Sequence, residues 1–92
     1  MNSKTSDEFW KHYADLPVEI KKQARQAFHR FVNNPYHPGL HFKRIHSTRP
    51  IFSVRISRNY RAVGITHDNE IVWFWIGSHN EYDKLIKTMR NA

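Results

Sequence analysis

The sequence lacks cysteine, which excludes a disulfide scaffold, a thiolate zinc site and a thiol nucleophile. It has no apolar run approaching the roughly 20 residues of a membrane-spanning helix, and its polar start, MNSKTSDE, is unlike a signal peptide. Repeats, low-complexity segments and long linkers are also missing from it. We therefore expect one domain over residues 1–92, in the cytoplasm and without a membrane partner.

Acidic residues are missing from the middle of the chain. The eight Asp and Glu lie within residues 7–19 and 68–83, whereas residues 20–67 carry ten Lys and Arg. In a chain with a net charge of +7, such a segment concentrates positive potential on the surface that it forms. This charge favours nucleic acid as the partner. An ordinary solvated cationic surface is the alternative.

The first part of the chain has a helical pattern. Phe9, Tyr13 and Leu16 stand at positions i, i+4 and i+7 and form one stripe of a short helix. Thr5 and Glu8 have the spacing of a capping box, so we expect that helix to begin at Thr5.

A second helix is predicted after Pro17, because proline suits the first turn of a helix. The segments NNP at 33–35 and PG at 38–39 end it and start a loop. The two helices are expected to pack as a hairpin. The apolar face of the second helix is predicted to comprise Ile20, Ala24, Ala27, Phe28, Phe31 and Val32.

After Gly39 the apolar residues recur with a period of two, which is typical of strands. The predicted elements are a short strand at 40–45, strands at 52–57, 60–66 and 70–76, and a helix at 82–90. The strand at 70–76 is apolar on both faces and is expected to be central. The fold class is α+β: a small antiparallel sheet of about four strands packed against an N-terminal helical hairpin, with a short C-terminal helix.

Arg55 is the first candidate for a functional residue, since it lies on a predicted strand that leads into a hairpin. With a two-residue turn at 58–59, Arg55 pairs with Ala62, and Arg61 points to the other face of the sheet. A bulge or a longer turn would bring Arg61 to the same face. The sequence leaves this register open, and an ordinary surface arginine is the alternative for Arg55.

His79 is the second candidate, because it follows the most buried predicted strand. Histidine serves as a general base or acid near neutral pH. Glu81 and Tyr82 follow closely and offer a carboxylate to orient the imidazole and a phenol. Glu81 and Asp83 flank the histidine and are both expected to tune it. The alternative is a purely local role for this segment, in which Ser78 and Glu81 form the capping box of a helix.

Other chemistries fit the sequence poorly. The remaining histidines lack the spacing of a metal site, no glycine-rich phosphate loop is present, and the acids lie too far apart for a paired-carboxylate site. We therefore expect neither a metal nor a small-molecule cofactor. Cleavage of RNA by attack of the 2′-hydroxyl on its own phosphate suits clustered Arg with His and Tyr.

Two segments carry a family resemblance. The hairpin IFSVRISRNYRAV and the end IVWFWIGSHNEYDKL resemble the RelE/ParE superfamily of bacterial type II toxins, including the HigB, YoeB and YafQ branches. The resemblance implies an antiparallel sheet packed on two helices and a cognate antitoxin that binds the toxin. RelE-like branches cleave mRNA on the ribosome and so inhibit translation, whereas ParE-like members act on DNA gyrase and lack the nuclease residues.

The resemblance also implies roles for individual residues. By position, Arg55 resembles the basic residue of the strand before the family's YR hairpin, Arg61 the arginine of that pair, and His79 the basic or histidine position after the last strand. Tyr82 is similar to an aromatic residue that follows shortly after in nuclease members. All four are predicted to be catalytic, with Tyr82 orienting the phosphate or stacking on a base. Ser53 stands where some nuclease members have a second basic residue. The strand that usually precedes the helices in the family is not expected here, since MNSKTSDE does not have a strand pattern.

Further basic residues are predicted to bind RNA without sequence specificity, including the RNA of the ribosome, through contacts to phosphates. These RNA-binding candidates are Lys21, Lys22, Arg25, Lys43, Arg44 and Arg58.

Overall fold

The computed structural model describes residues 1–90 as a five-stranded sheet with helices on both faces. The strands are β1 Asn2–Thr5, β2 Lys43–Arg44, β3 Ile51–Ser57, β4 Tyr60–His67 and β5 Glu70–Ser78. The helices are α1 Asp7–Ala14, α2 Val18–Asn33 and α3 His79–Arg90, and a 3-10 turn spans Pro38–Leu40. None of the helices in this part of the chain is both long and apolar enough to cross a membrane.

The strand order is β1-β5-β4-β3-β2, with β1 parallel to β5 and the other neighbours antiparallel. The α+β fold class is confirmed, but the sheet has five strands because β1 joins its edge. Strand β1 is polar and was not expected from the sequence. Its polar side chains bind those of β5: Ser3 Oγ accepts a hydrogen bond of 2.7 Å from the Trp73 indole, and Lys4 forms an ion pair with Glu70 at 3.1 Å.

Helix α1 begins one residue later than expected. Its N-cap is Ser6, whose Oγ accepts a hydrogen bond from the amide of Phe9. Thr5 ends β1, and its hydroxyl accepts a hydrogen bond of 2.9 Å from the Trp10 indole. The capping box of Thr5 with Glu8 is therefore wrong, because β1 holds Thr5 in the sheet.

Helix α2 begins after Pro17 as predicted and buries Ala24, Ala27 and Phe31. Phe28 and Val32, which were also assigned to its apolar face, are exposed. These two residues lie beside the buried stripe on the helix surface, so the sheet does not cover them. The short strand expected at 40–45 is reduced to β2 after the 3-10 turn.

The sheet has a hydrophobic core on each face. Helices α1 and α2 cover one face, here called the α2 face, where Val54, Ala62 and Trp73 pack under them. Helix α3 covers part of the other, the α3 face, where Val63 and Trp75 are buried. Strand β5 lies inside the sheet, between β1 and β4, and contributes to both cores, which confirms the prediction that it is covered on both faces.

Gly64 illustrates how closely the α2 core is packed. A Cβ atom at this position would lie 2.9 Å from Cγ1 of Ile71 and 2.9 Å from Cε3 of Trp73. Both neighbours are buried, so neither has free space into which it can move.

We expect Gly64→Ala to lower the free energy of unfolding by about 1–3 kcal/mol, as overpacking of a core does. Urea denaturation followed by tryptophan fluorescence measures the change. Gly39→Ala is the matched control, since a Cβ there meets only the His37 ring at an ordinary 3.4 Å. A Gly64→Ala protein as stable as the Gly39→Ala protein would contradict this account of the packing.

Candidate functional site

The β3–β4 hairpin pairs Arg55 directly with Arg61. A bulge at Ile56 adds one residue to β3 and shifts the register near the turn. Of the two registers that the sequence leaves open, the structure therefore has the bulged one, and Arg55 does not pair with Ala62. Because directly paired residues of antiparallel strands project to the same side of a sheet, both arginines belong to the α3 face.

Two guanidinium groups on paired residues repel each other. Burial and then the charge of Arg55 lower the pKa of Arg61 below its ordinary value. Tyr82 and Asp83 have smaller effects that raise this pKa. Arginine stays protonated at neutral pH, so the arginine pair is a concentrated positive site that a bound anion would stabilise.

Arg61 also holds the hairpin turn together. Its Nη1 donates hydrogen bonds to the carbonyl oxygens of Ser57 at 2.8 Å, Tyr60 at 2.9 Å and Arg58 at 3.3 Å. Within residues 1–90, its other two guanidinium nitrogens have no hydrogen-bond partner. One end of the guanidinium group is thus fixed, and the other end is available to a ligand.

His79 is the first residue of α3 and is attached to the same turn. Its amide donates a hydrogen bond of 2.7 Å to the carbonyl of Asn59. The capping box of Ser78 and Glu81 is confirmed, since the Ser78 hydroxyl accepts from the Glu81 amide at 3.3 Å and the Glu81 carboxylate accepts from the Ser78 amide at 3.4 Å. This segment therefore caps helix α3 and also leaves the His79 imidazole half-exposed.

Asp83 is the carboxylate beside that imidazole. Its Oδ2 lies 3.3 Å from Nδ1 of His79, one helical turn away. The sequence indicated Glu81 and Asp83 as the acids flanking His79. Asp83 is the one beside the ring, since Glu81 is occupied by Ser78 at 3.0 Å. The i, i+4 spacing of His79 and Asp83 places them on the same side of the helix.

Tyr82 points into the core of the α3 face. It is only 5% exposed, and its hydroxyl donates a hydrogen bond of 3.1 Å to Ser53. Its ring centroid lies 5.7 Å from that of His79 and 6.3 Å from that of Trp75. The expected direct contact of Tyr82 with a phosphate or a base is not available in this geometry, because packing against Trp75 buries the ring.

The sequence of the chain matches a known protein family. A family model described as a ParE-like toxin domain matches residues 18–84. The chain belongs to the ParE-like toxin domain family. Its membership of the RelE/ParE superfamily is thereby confirmed. No curated protein matches the chain in sequence.

Solved structures of RelE/ParE toxins share the fold. The RelB–RelE antitoxin–toxin complex from Methanococcus jannaschii matches with a TM-score of 0.73 and 16% identity, over 89% of this chain and 96% of that chain. YafQ from E. coli strain BL21(DE3) gives 0.71 and 12%, over 88% and 96%. The YoeB/ParE toxin from Agrobacterium tumefaciens gives 0.68 and 12%, over 86% and 99%.

Ser53 departs from the RelE/ParE nuclease pattern that the resemblance implies. It is 1% exposed and accepts the hydrogen bond from Tyr82. It pairs with Val63 on β4 and with Lys43 on β2. Lys43 therefore lies on the α3 face. It is an exposed cation beside Ser53, which is itself uncharged.

The six RNA-binding candidates of this RelE/ParE chain do not form one surface. Lys43 belongs to the α3 face, and Arg58 is exposed in the hairpin turn beside the arginine pair. Arg44 pairs with Phe52 on β3, and its Nε donates hydrogen bonds to two carbonyls of the loop before that strand.

The other three candidates lie on α2, on the opposite side of the sheet. Lys21 is positioned over the Tyr13 ring, 5.6 Å from its centroid, and Arg25 donates a hydrogen bond of 2.9 Å to the Tyr13 hydroxyl. Lys22 is exposed. These cations are therefore separated from the arginine pair by the thickness of the sheet.

The α2 face also has an apolar cavity of about 530 Å³ between α1, α2 and the sheet. Trp10 and Phe28 line it and are partly exposed to solvent. Over residues 1–90, no three His, Asp or Glu side chains come close enough together to hold a metal ion. The polar groups that suit catalysis are thus those of the α3 face, around the arginine pair.

We expect Tyr82→Phe to lower the free energy of unfolding by about 0.5–1.5 kcal/mol, because it removes the buried hydrogen bond to Ser53. Chemical denaturation measures this loss. Tyr36→Phe is the control, since Tyr36 is 77% exposed, and it should change stability little. Equal stability of the Tyr82→Phe protein and the wild type would show that this hydroxyl contributes nothing to the fold.

Proposed function

We propose that the protein is the toxin of a type II toxin–antitoxin system and a metal-independent endoribonuclease that cleaves mRNA on the ribosome. The observation that carries the proposal is the direct pairing of Arg55 with Arg61, next to the turn that anchors His79. Two adjacent cations that repel each other cost stability, and such strained charge clusters are typical of functional sites.

In the proposed reaction, Arg55 and Arg61 bind the scissile phosphate and stabilise the charge that develops on the phosphorane. The 2′-oxygen forms a bond to phosphorus as the bond from phosphorus to the 5′-oxygen breaks. His79 takes the proton from the 2′-hydroxyl or gives one to the leaving 5′-oxygen. The products are a 2′,3′-cyclic phosphate and a 5′-hydroxyl end.

Tyr82 has an indirect role in this proposal. Its buried ring packs beside His79, and its hydroxyl is bonded to Ser53. It joins the first turn of α3 to β3, the strand that carries Arg55. We assign it to holding His79 and the arginine pair together, not to contact with RNA.

A cognate antitoxin is the proposed protein partner. The Methanococcus relative was solved as an antitoxin–toxin complex, and a partly exposed apolar cavity like that of the α2 face is typical of a protein interaction site.

A non-catalytic toxin that binds a protein such as DNA gyrase is the second candidate, because the matching family model is ParE-like. A binder needs no arginine pair with an adjacent histidine. Primer extension on a reporter mRNA after induction distinguishes the two, since a nuclease leaves discrete cuts and a gyrase toxin causes a DNA-damage response. A degenerate chain that binds only its antitoxin would give neither result.

We expect Arg55→Ala and His79→Ala each to remain folded but to lose toxicity, with cleavage slower by about 100-fold or more. Growth after induction and cleavage of a reporter mRNA measure the two effects. The controls are Arg30→Ala on α2 and His67→Ala at the far end of β4, both exposed, which should behave as wild type. Wild-type toxicity of the Arg55→Ala or the His79→Ala protein would exclude the assignment.

The position of Lys43 on the α3 face gives a separate prediction for RNA binding. Lys43→Ala should weaken binding of a short single-stranded RNA and reduce the slope of log K against log salt by about 0.7, the loss of one phosphate contact. Lys22→Ala, on the α2 face, removes the same charge and should leave the slope unchanged. Titrations by fluorescence anisotropy at several salt concentrations test this. Equal effects of the two substitutions would mean that RNA does not distinguish the faces.

A further inference from the structure

We propose that Asp83 is a positioning residue that holds the proton of His79 on Nδ1 and leaves Nε2 to exchange a proton with RNA. The proposal rests on the proposed nuclease function and adds a residue to its site. It starts from the distance of 3.3 Å between Oδ2 of Asp83 and Nδ1 of His79. The two side chains are 55% and 46% exposed, so the imidazole is accessible while one of its edges faces a carboxylate.

Hydrogen bonds and core packing fix the backbone around the pair. The amide of His79 is bonded to the hairpin turn at Asn59, at 2.7 Å. Between His79 and Asp83, the buried Tyr82 anchors the same helical turn to Ser53 on β3. This turn of α3 therefore cannot rotate without breaking a core contact, and the two side chains stay within reach of each other.

No other carboxylate of this turn competes for the imidazole. Glu81 is held by the hydroxyl and the amide of Ser78. From the sheet, Arg61 on β4 is close enough for Asp83 to affect its pKa, and Arg55 on β3 is paired with Arg61; both are cationic. Asp83 is thus the acceptor that is left for the Nδ1 proton.

The tautomer matters for the reaction. A neutral imidazole carries its single proton on either nitrogen, and an acceptor beside one nitrogen selects that tautomer. With the proton on Nδ1, the lone pair of Nε2 takes the proton of the 2′-hydroxyl as the bond from the 2′-oxygen to phosphorus forms. The bond from phosphorus to the 5′-oxygen breaks, and this oxygen takes a proton from water. Asp83 then stabilises the imidazolium ion that has formed.

Asp83 also affects Arg61, whose pKa it raises. Removal of the Asp83 carboxylate therefore affects cleavage by two routes, one through His79 and one through Arg61. A test must separate them.

Asp83→Asn removes the charge with little change of shape, and ¹⁵N NMR of the imidazoles reports which nitrogen carries the proton. Asp68→Asn is the matched control, since Asp68 lies 3.5 Å from His67 in a similar exposed pair away from the site. Asparagine also tolerates the positive φ of 55° at that position. We expect the fraction of His79 protonated on Nδ1 to fall in Asp83→Asn and to be unchanged in Asp68→Asn.

Single-turnover cleavage of an mRNA bound to ribosomes, with the protein at saturating concentration, gives the second measurement. We expect Asp83→Asn to slow cleavage about tenfold, Asp68→Asn to have no effect, and Asp83→Asn to cause no further loss in a His79→Ala background. An equal loss in both backgrounds, or an unchanged tautomer of His79, would overturn the role of Asp83 while the nuclease function stands. Absence of cleavage by the wild type would overturn the nuclease function, and with it any role of Asp83 in cleavage. A change of tautomer would then establish only the contact between Asp83 and His79.

Discussion

The bulge at Ile56 is the constraint on which the candidate site depends. It shifts β3 by one residue against β4 and so pairs Arg55 with Arg61. A shift of one residue moves a side chain to the opposite face of a sheet. Without the bulge, Arg61 would point towards the hydrophobic core under α2. The three carbonyls of the turn that Arg61 binds then secure the shifted hairpin.

The candidate site also requires that α3 begins beside the β3–β4 hairpin. Strand β5 places the start of α3 there. The indole of Trp75 lies against Gly77, where a Cβ atom would come within 2.7 Å of the ring. Trp75 and Tyr82 then pack in one buried cluster. A strand that is apolar on both faces therefore supports the α2 core with one set of side chains and holds the start of α3 with the other.

The sequence predicted α1, α2 and the strands β3 to β5 well, because long apolar periods carry that information. It missed β1, whose stability comes from pairing with β5 and from contacts such as that of Ser3 with Trp73. The arginine pair depends on a bulge that no residue of the turn signals. The burial of Tyr82 arises from tertiary packing against Trp75, and capping by Ser78 prevents Glu81 from taking the place that Asp83 occupies.

The cations of residues 20–67, the segment without acidic residues, fall into two groups in the structure. Those on α2 are partly engaged by Tyr13, whereas Arg55 and Arg61 face each other on the α3 face. Asp83 is the nearby acid that raises the pKa of Arg61, while burial and Arg55 lower it. One carboxylate against two guanidinium groups leaves a net positive charge at the site. The site thus has the charge that a phosphodiester requires, and the same carboxylate leaves the adjacent imidazole with one free nitrogen.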